Sequence, residues 1–270
     1  MQGSSARETL LIRIPLSLLL ALVVGAGLAA GKKKPPAPPP DTLQGKVNAL
    51  AIKLRGVMLV DAGPITDQIQ KLVVDHMTEW MANRTPTDVE VRRELERVFS
   101  LLHYPEEGMP AAFAQPWQGQ MVIGAGYTLR WTDQDRQNVV AIYTSGAGKS
   151  QLAAVTNFIP RADLHYKMLP QLAGDDLRFF IYGDRLGKSQ NRLEVALYSF
   201  DGKNLKTLWE KHDIYDGDMT VNQDKVAIKY LIESEYVEAV QRERHPPRHQ
   251  ATYQLTATGM QLLDDHEIPF

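Results

Sequence analysis

Ser145-Gly146-Ala147-Gly148-Lys149-Ser150 is the stretch that most invites a chemical reading. It follows an apolar run, Val139 to Tyr143, and ends in Gly-Lys-Ser. A loop that binds nucleotides ends that way, cradling phosphates with backbone amides, a lysine and a magnesium-binding hydroxyl. The pattern requires a glycine five positions before Gly148, where this chain has Tyr143. The residues that follow, Gln151 to Ile159, include Val155, Thr156 and Phe158 and run into Pro160, which disfavours the helix such a loop must open. A hairpin turn at Gly148-Lys149 is the better reading, matched by Gly202-Lys203 further along. Nucleotide binding at Gly148-Lys149-Ser150 stays as a lesser alternative.

Asp213, Asp216 and Asp218, with Asp224 beyond, cluster around Gly217. Hard oxygen ligands at short spacing suit calcium, and the first three are the candidate ligands. The spacing departs from the D-x-[DN]-x-[DN]-G loop, and acids beside glycine are common in turns, so no metal is assigned. Arg242, Arg244 and Arg248 surround Pro246-Pro247, with His245 and His249 at helical metal-ligand spacing. The prolines forbid that helix. A solvated loop between strands is expected, with the three arginines as contacts for an anionic partner or lipid headgroup. His76 lies on an apolar helical stripe whose nearest carboxylate in sequence is Glu79, so it reads as a helix-packing residue. Gly-x-Ser-x-Gly, His-Glu-x-x-His and dinucleotide fingerprints are missing from the sequence. No catalytic residue is assigned and no cofactor is expected.

The 270-residue chain carries a formal charge of −2 and a pI near 6.4, which argues against nucleic acid as a partner. It has no cysteine, which removes disulfides, thiolate metal sites and a lipid-bearing cysteine together. Ile14 to Gly31 is free of charge, follows Arg7 and Arg13, and softens into small residues. Those are the parts of a signal peptide, with Gly27-Leu28-Ala29 and Ala29-Ala30-Gly31 as cleavage sites. An uncleaved anchor is the competing reading, since Lys32-Lys33-Lys34 resists translocation. Pro35 to Pro40 favours a stiff, extended spacer. The expected divisions are a signal or anchor over 1–31, a linker over 32–42, a helical module over 43–110 and a β domain over 111–270.

Within the helical module, Val47, Leu50, Leu54 and Val57 recur at helical steps. Pro64 opens a second helix whose stripe is Ile65, Ile69, Leu72, Val73, His76, Met77, Trp80 and Met81. Thr85-Pro86 is expected to start a third, with Val91, Leu95, Val98, Phe99 and Leu102 on its apolar face.

After Phe113 the period shifts towards two. Val139 to Tyr143, Glu194 to Tyr198 and Gln250 to Tyr253 each end in tyrosine. Each is followed by a glycine turn (Gly148, Gly202, Gly259) and an apolar strand near Leu152, Leu205 or Leu262. The tyrosines stand 55 residues apart both times. Met168 to Tyr182 and Met219 to Leu231 read as hairpins ahead of the second and third tyrosine strands, with Met121 to Trp131 as the counterpart in the first copy. Over residues 116–265 this spacing resembles β-propeller repeats, and the resemblance implies units of four antiparallel strands. Three units are too few for an ordinary closed ring. An open stack, a twisted sheet, a sandwich, or a ring completed by a second chain are the alternatives, with the helices covering exposed sheet edges.

The expected fold is therefore α+β: an N-terminal hydrophobic segment, a short helical module, then an antiparallel propeller-like or sandwich-like β domain. The expected role is non-enzymatic binding or scaffolding by an exported or membrane-tethered envelope protein. It would be periplasmic or anchored in the inner membrane, with envelope proteins or polymers as partners. A metal-assisted hydrolase with an acidic loop site at Asp213, Asp216 and Asp218 is the alternative from another class.

Overall fold

Thr42 accepts a hydrogen bond from the Gly45 amide at 3.0 Å and so caps the first helix, α1 (Leu43–Arg55). In the computed structural model of the protein, residues 41–102, 109–130, 136–158, 162–170 and 176–269 are described. The hydrophobic segment Ile14 to Gly31 and the proline-rich linker lie outside them. All described residues belong to the compact unit Pro38–Phe270. Among the described residues, no helix is long and apolar enough to cross a membrane.

A 3-10 turn (Leu59–Asp61) leads into α2 (Gly63–Met81), where Pro64 stands in the first turn. Ile65, Ile69, Val73, Met77 and Met81, four residues apart, form its fully buried stripe. The third helix, α3 (Asp88–Val98), starts later than Thr85-Pro86 would place it. Thr87 is the N-cap instead, because it closes a capping box with Glu90 that satisfies two backbone amides. Thr85 is held elsewhere: its hydroxyl meets that of Ser145 at 2.6 Å.

Among the described residues twelve strands follow, in three antiparallel sheets of four, each ordered as the chain runs. The first sheet is β1 (Met109–Trp117), β2 (Gln120–Arg130), β3 (Arg136–Gly146) and β4 (Lys149–Thr156). The second is β5 (His165–Met168), β6 (Leu177–Arg185), β7 (Arg192–Phe200) and β8 (Leu205–Tyr215). The third is β9 (Asp218–Asn222), β10 (Lys225–Leu231), β11 (Arg248–Thr256) and β12 (Gly259–Ile268), with a fourth helix, α4 (Glu233–Gln241), between β10 and β11. The chain is α+β, dominated by antiparallel sheet. Met219 to Leu231 forms the expected hairpin, β9–β10. Met121 to Trp131 does not: β2 runs unbroken from Gln120 to Arg130, and its hairpin partner is β1, across the Gln118-Gly119 turn. The second hairpin begins at His165 rather than at Met168, where β5 ends.

The sheets are layers. Ile123, Ala125, Tyr127, Leu129, Val139, Ala141 and Tyr143 face the helices in one core. The alternate residues Val122, Val140 and Ile142 share a second core with Phe179, Ile181, Ala196 and Phe200 of the middle sheet. The middle sheet's other face, with Phe180, Val195 and Leu197, meets Val226, Ile228, Ala251 and Tyr253 of the third sheet. A sheet buried on both faces needs apolar residues at consecutive positions, and β3 and β7 have them. The third sheet is buried on one face and alternates accordingly. Ala251 and Tyr253 point inward, while Gln250, Thr252 and Gln254 stand between them. The helices thus cover a sheet face, not the sheet edges.

The three tyrosine strands are β3, β7 and β11, the third strand of each sheet. Each tyrosine is buried towards the preceding layer: Tyr143 the helices, Tyr198 the first sheet, Tyr253 the second. In each sheet the register with the fourth strand shifts immediately before the tyrosine, at Ile142/Tyr143, Leu197/Tyr198 and Thr252/Tyr253. A bulge recurring at one position of a repeat bends each sheet in the same place.

Candidate functional site

Antiparallel alternation gives the stack two unlike ends. One end carries short turns, at Gln118-Gly119, Ala147-Gly148 and Gln223 among others, where the chain takes positive φ, together with the longer connection 169–176 between β5 and β6. The turn at Gly202 sits against the Trp117 ring, and Arg178 donates to the Thr256 carbonyl at 2.7 Å, so the turns of successive sheets meet there. The other end receives the β6–β7 loop, the link between β8 and β9, and α4 with its following loop. Charged side chains collect at that end.

At its centre is Glu194, on β7 and only 1 % exposed. The ladder between β7 and β8 skips here, pairing Leu193 with Ile214 and Val195 with Lys211, so Glu194 faces both His212 and Asp213. Asp213 takes φ 63°, the left-handed conformation that an aspartate tolerates better than most residues. The bulge aims two donors at one carboxylate: His212 Nδ1 lies 3.1 Å from Glu194 Oε2, and the Asp213 amide donates to the same oxygen at 3.2 Å. Arg185 Nε donates to Oε1 at 3.0 Å, which completes the set. A buried carboxylate with this many donors has its desolvation offset locally.

The network extends outward. Arg185 also pairs with Asp213. Arg192 reaches Glu233 at 2.8 Å and lies over the Tyr215 ring at 4.3 Å, while the Tyr215 hydroxyl meets Ser189 at 2.6 Å. Arg185, Lys188, Arg192, Asp213 and Glu233 line a cavity of about 300 Å³. On the same end, burial and the neighbouring Asp163 push the Asp184 carboxyl above its usual range, against the pull of His165. A second cavity, of about 350 Å³, lies between α4 and the loop after it, and His249 contacts Glu235 beside it at 2.8 Å.

Neither a family model nor a curated protein matches this chain.

The residues singled out by sequence fall mostly on this end. Asp213 is committed to Arg185, with Arg192 at 3.8 Å, and Asp216 to Arg248. Asp218 opens β9. Among the described residues, no three histidine, aspartate or glutamate side chains gather as a metal group. Arg242 forms an ion pair with Glu238 at 2.7 Å along α4, Arg244 is exposed in the loop that follows, and Arg248 begins β11. The stretch from Gln241 is thus the end of a helix and a loop. Glu233 and Glu235 in the first turn and Pro246-Pro247 beyond the end were the sequence signals for that helix.

Gly148-Lys149-Ser150 lies at the opposite end. Ala147 and Gly148, at φ 52° and 75°, make the two-residue turn between β3 and β4, and a strand follows instead of a helix. Ser150 donates to the Arg84 carbonyl at 2.7 Å and Ser145 meets Thr85, so both hydroxyls hold the link between α2 and α3. The amide cradle of a phosphate loop is not formed there.

His76 has a carboxylate partner that its own helix could not supply. Glu94 of α3, 8 % exposed, stands 2.5 Å from its Nε2 and also accepts from Arg97 Nε at 2.9 Å. Burial disfavours the Glu94 charge, but the bonds from Arg97 and His76 outweigh it and hold its pKa below the usual value. The trio clips α2 to α3.

Proposed function

We propose that the chain is an exported or membrane-tethered envelope protein whose charged end binds another protein or an envelope polymer. In this reading its three sheets are propeller-type blade units stacked as an open pile. The observation that carries it is the difference between the ends: two-residue turns form most of one, while α4 and a pre-paired charge network meet at the other. Binding loops held by a rigid sheet scaffold are a recurrent arrangement, and side chains already locked by mutual ion pairs lose little entropy when a partner arrives. The recurring bulge and the common orientation of Tyr143, Tyr198 and Tyr253 support the blade reading. The helices on one outer face and the polar face of the third sheet act as caps, which an open stack of repeats requires. The charge-free run Ile14 to Gly31 supports the envelope address.

The test joins fractionation to capture. The full chain is recovered from cell fractions and its mature N-terminus is sequenced. A photo-crosslinking residue is placed at Lys188, beside the cavity, and another at Gly148, at the turn end. The proposal expects the protein in the envelope fraction and an envelope component crosslinked from position 188 only. Recovery of the intact chain from the cytosol refutes the address; equal or absent crosslinking from the two positions refutes the binding end.

A further inference from the structure

Val60 and Met58 are the most exposed large apolar side chains among the described residues, at 80 % and 71 %. Both lie in the short turn after α1, and Ile52, 53 % exposed, stands on the last turns of that helix. Bare apolar side chains of this size are costly to leave in water, and three of them within nine residues of sequence mark an interaction surface. Their surroundings identify what it meets. The exposed side of α1 carries Lys46 and Lys53 beside Ile52, and Arg55 closes the helix. The outer side of α2, by contrast, is net acidic, with Asp67, Asp75 and Glu79 beside Lys71, which pairs with Asp75 at 2.7 Å, and the exposed Asp61 follows Val60. Apolar groups flanked by lysines suit the boundary between acyl chains and anionic headgroups, and the acidic side of α2 suits water. The same helix is the first element after the linker that follows the charge-free run Ile14 to Gly31.

We infer that Met58 and Val60, with Ile52 behind them, enter the surface of an anionic bilayer, where Lys46 and Lys53 meet the lipid headgroups. This docking is a second attachment beside the N-terminal segment and rests on the membrane-tethered reading above. It leaves the charged end of the stack free for a partner.

The chain has no cysteine, so Val60→Cys gives a single labelling position at a side chain too exposed to matter for folding. The full chain, labelled there with a polarity-sensitive dye, is incorporated into vesicles of phosphatidylglycerol and phosphatidylethanolamine. A second sample carries the label at Thr220→Cys, on β9 of the third sheet. Expected are a blue-shifted emission and quenching by lipid-borne nitroxides at position 60, neither at position 220, and loss of the blue shift in Lys46→Glu/Lys53→Glu. Vesicles of phosphatidylcholine alone give a weaker shift. A chain that floats with the vesicles while position 60 keeps its aqueous emission overturns the docking and leaves the tether standing. A chain that does not float with them overturns both.

Discussion

Glu194 is the third residue of β7, the six positions after it are all buried, and the β7–β8 bulge turns an otherwise misplaced acid into a hub. Glu194→Ala leaves Arg185 Nε and the Asp213 amide without their acceptor, and Arg185 keeps only Asp213. We expect a loss of about 3 kcal/mol, the scale for removing one side of a buried ion pair, read as a lower urea midpoint at unchanged slope. Glu94 has a pH signature. Its folded pKa lies below the ordinary 4.5, so its stabilisation is complete above that value and drains away as pH falls through the lowered one. Glu94→Gln should therefore unfold more easily near neutrality and show a shallower loss of stability on acidification. Urea titrations from about pH 6 to about pH 3 would check this, and an unchanged acid slope would count against it. Glu194 was in view as the first residue of a tyrosine strand, and His76 as a member of a helical stripe. Their partners were not, because Arg185, His212 and Glu94 come from neighbouring elements with no fixed sequence offset.

At the scale of elements, stripes and caps carried most of the information. The four-residue spacing from Ile65 to Met81 gives α2 directly, since those side chains fall on one face of a helix and that face found a sheet to cover. Thr85 and Thr87 offer the same hydroxyl, but only Thr87 has Glu90 three residues on, so α3 starts later than Thr85-Pro86 suggests. Thr87→Ala should cost about 1 kcal/mol and Thr85→Ala should leave the helix start in place, which amide exchange at Asp88 to Val91 can resolve. Each tyrosine strand was legible from its apolar residues and the glycine turn after it. The bulges beside the tyrosines were not, because a bulge is a relation between two strands.

For the molecule as a whole, the middle sheet depends on both neighbours. Removing the third sheet, by ending the chain after Tyr215, exposes Phe180, Val195 and Leu197 together. We expect that shortened chain to aggregate, and a monomeric, cooperatively unfolding product in sedimentation and thermal unfolding would contradict the layered core. The amino-acid sequence by itself settled the helical stripes, the tyrosine strands with their 55-residue spacing, the absence of thiol chemistry and the antiparallel α+β class. These rest on local periodicity and composition, which act along the chain. Tertiary structure alone decided that the sheets stack face to face, that the helices cover a face, and that Arg185, Arg192, His212 and Glu233 converge on one end. Those outcomes depend on which buried surfaces find each other across long stretches of chain, a choice set by packing in three dimensions.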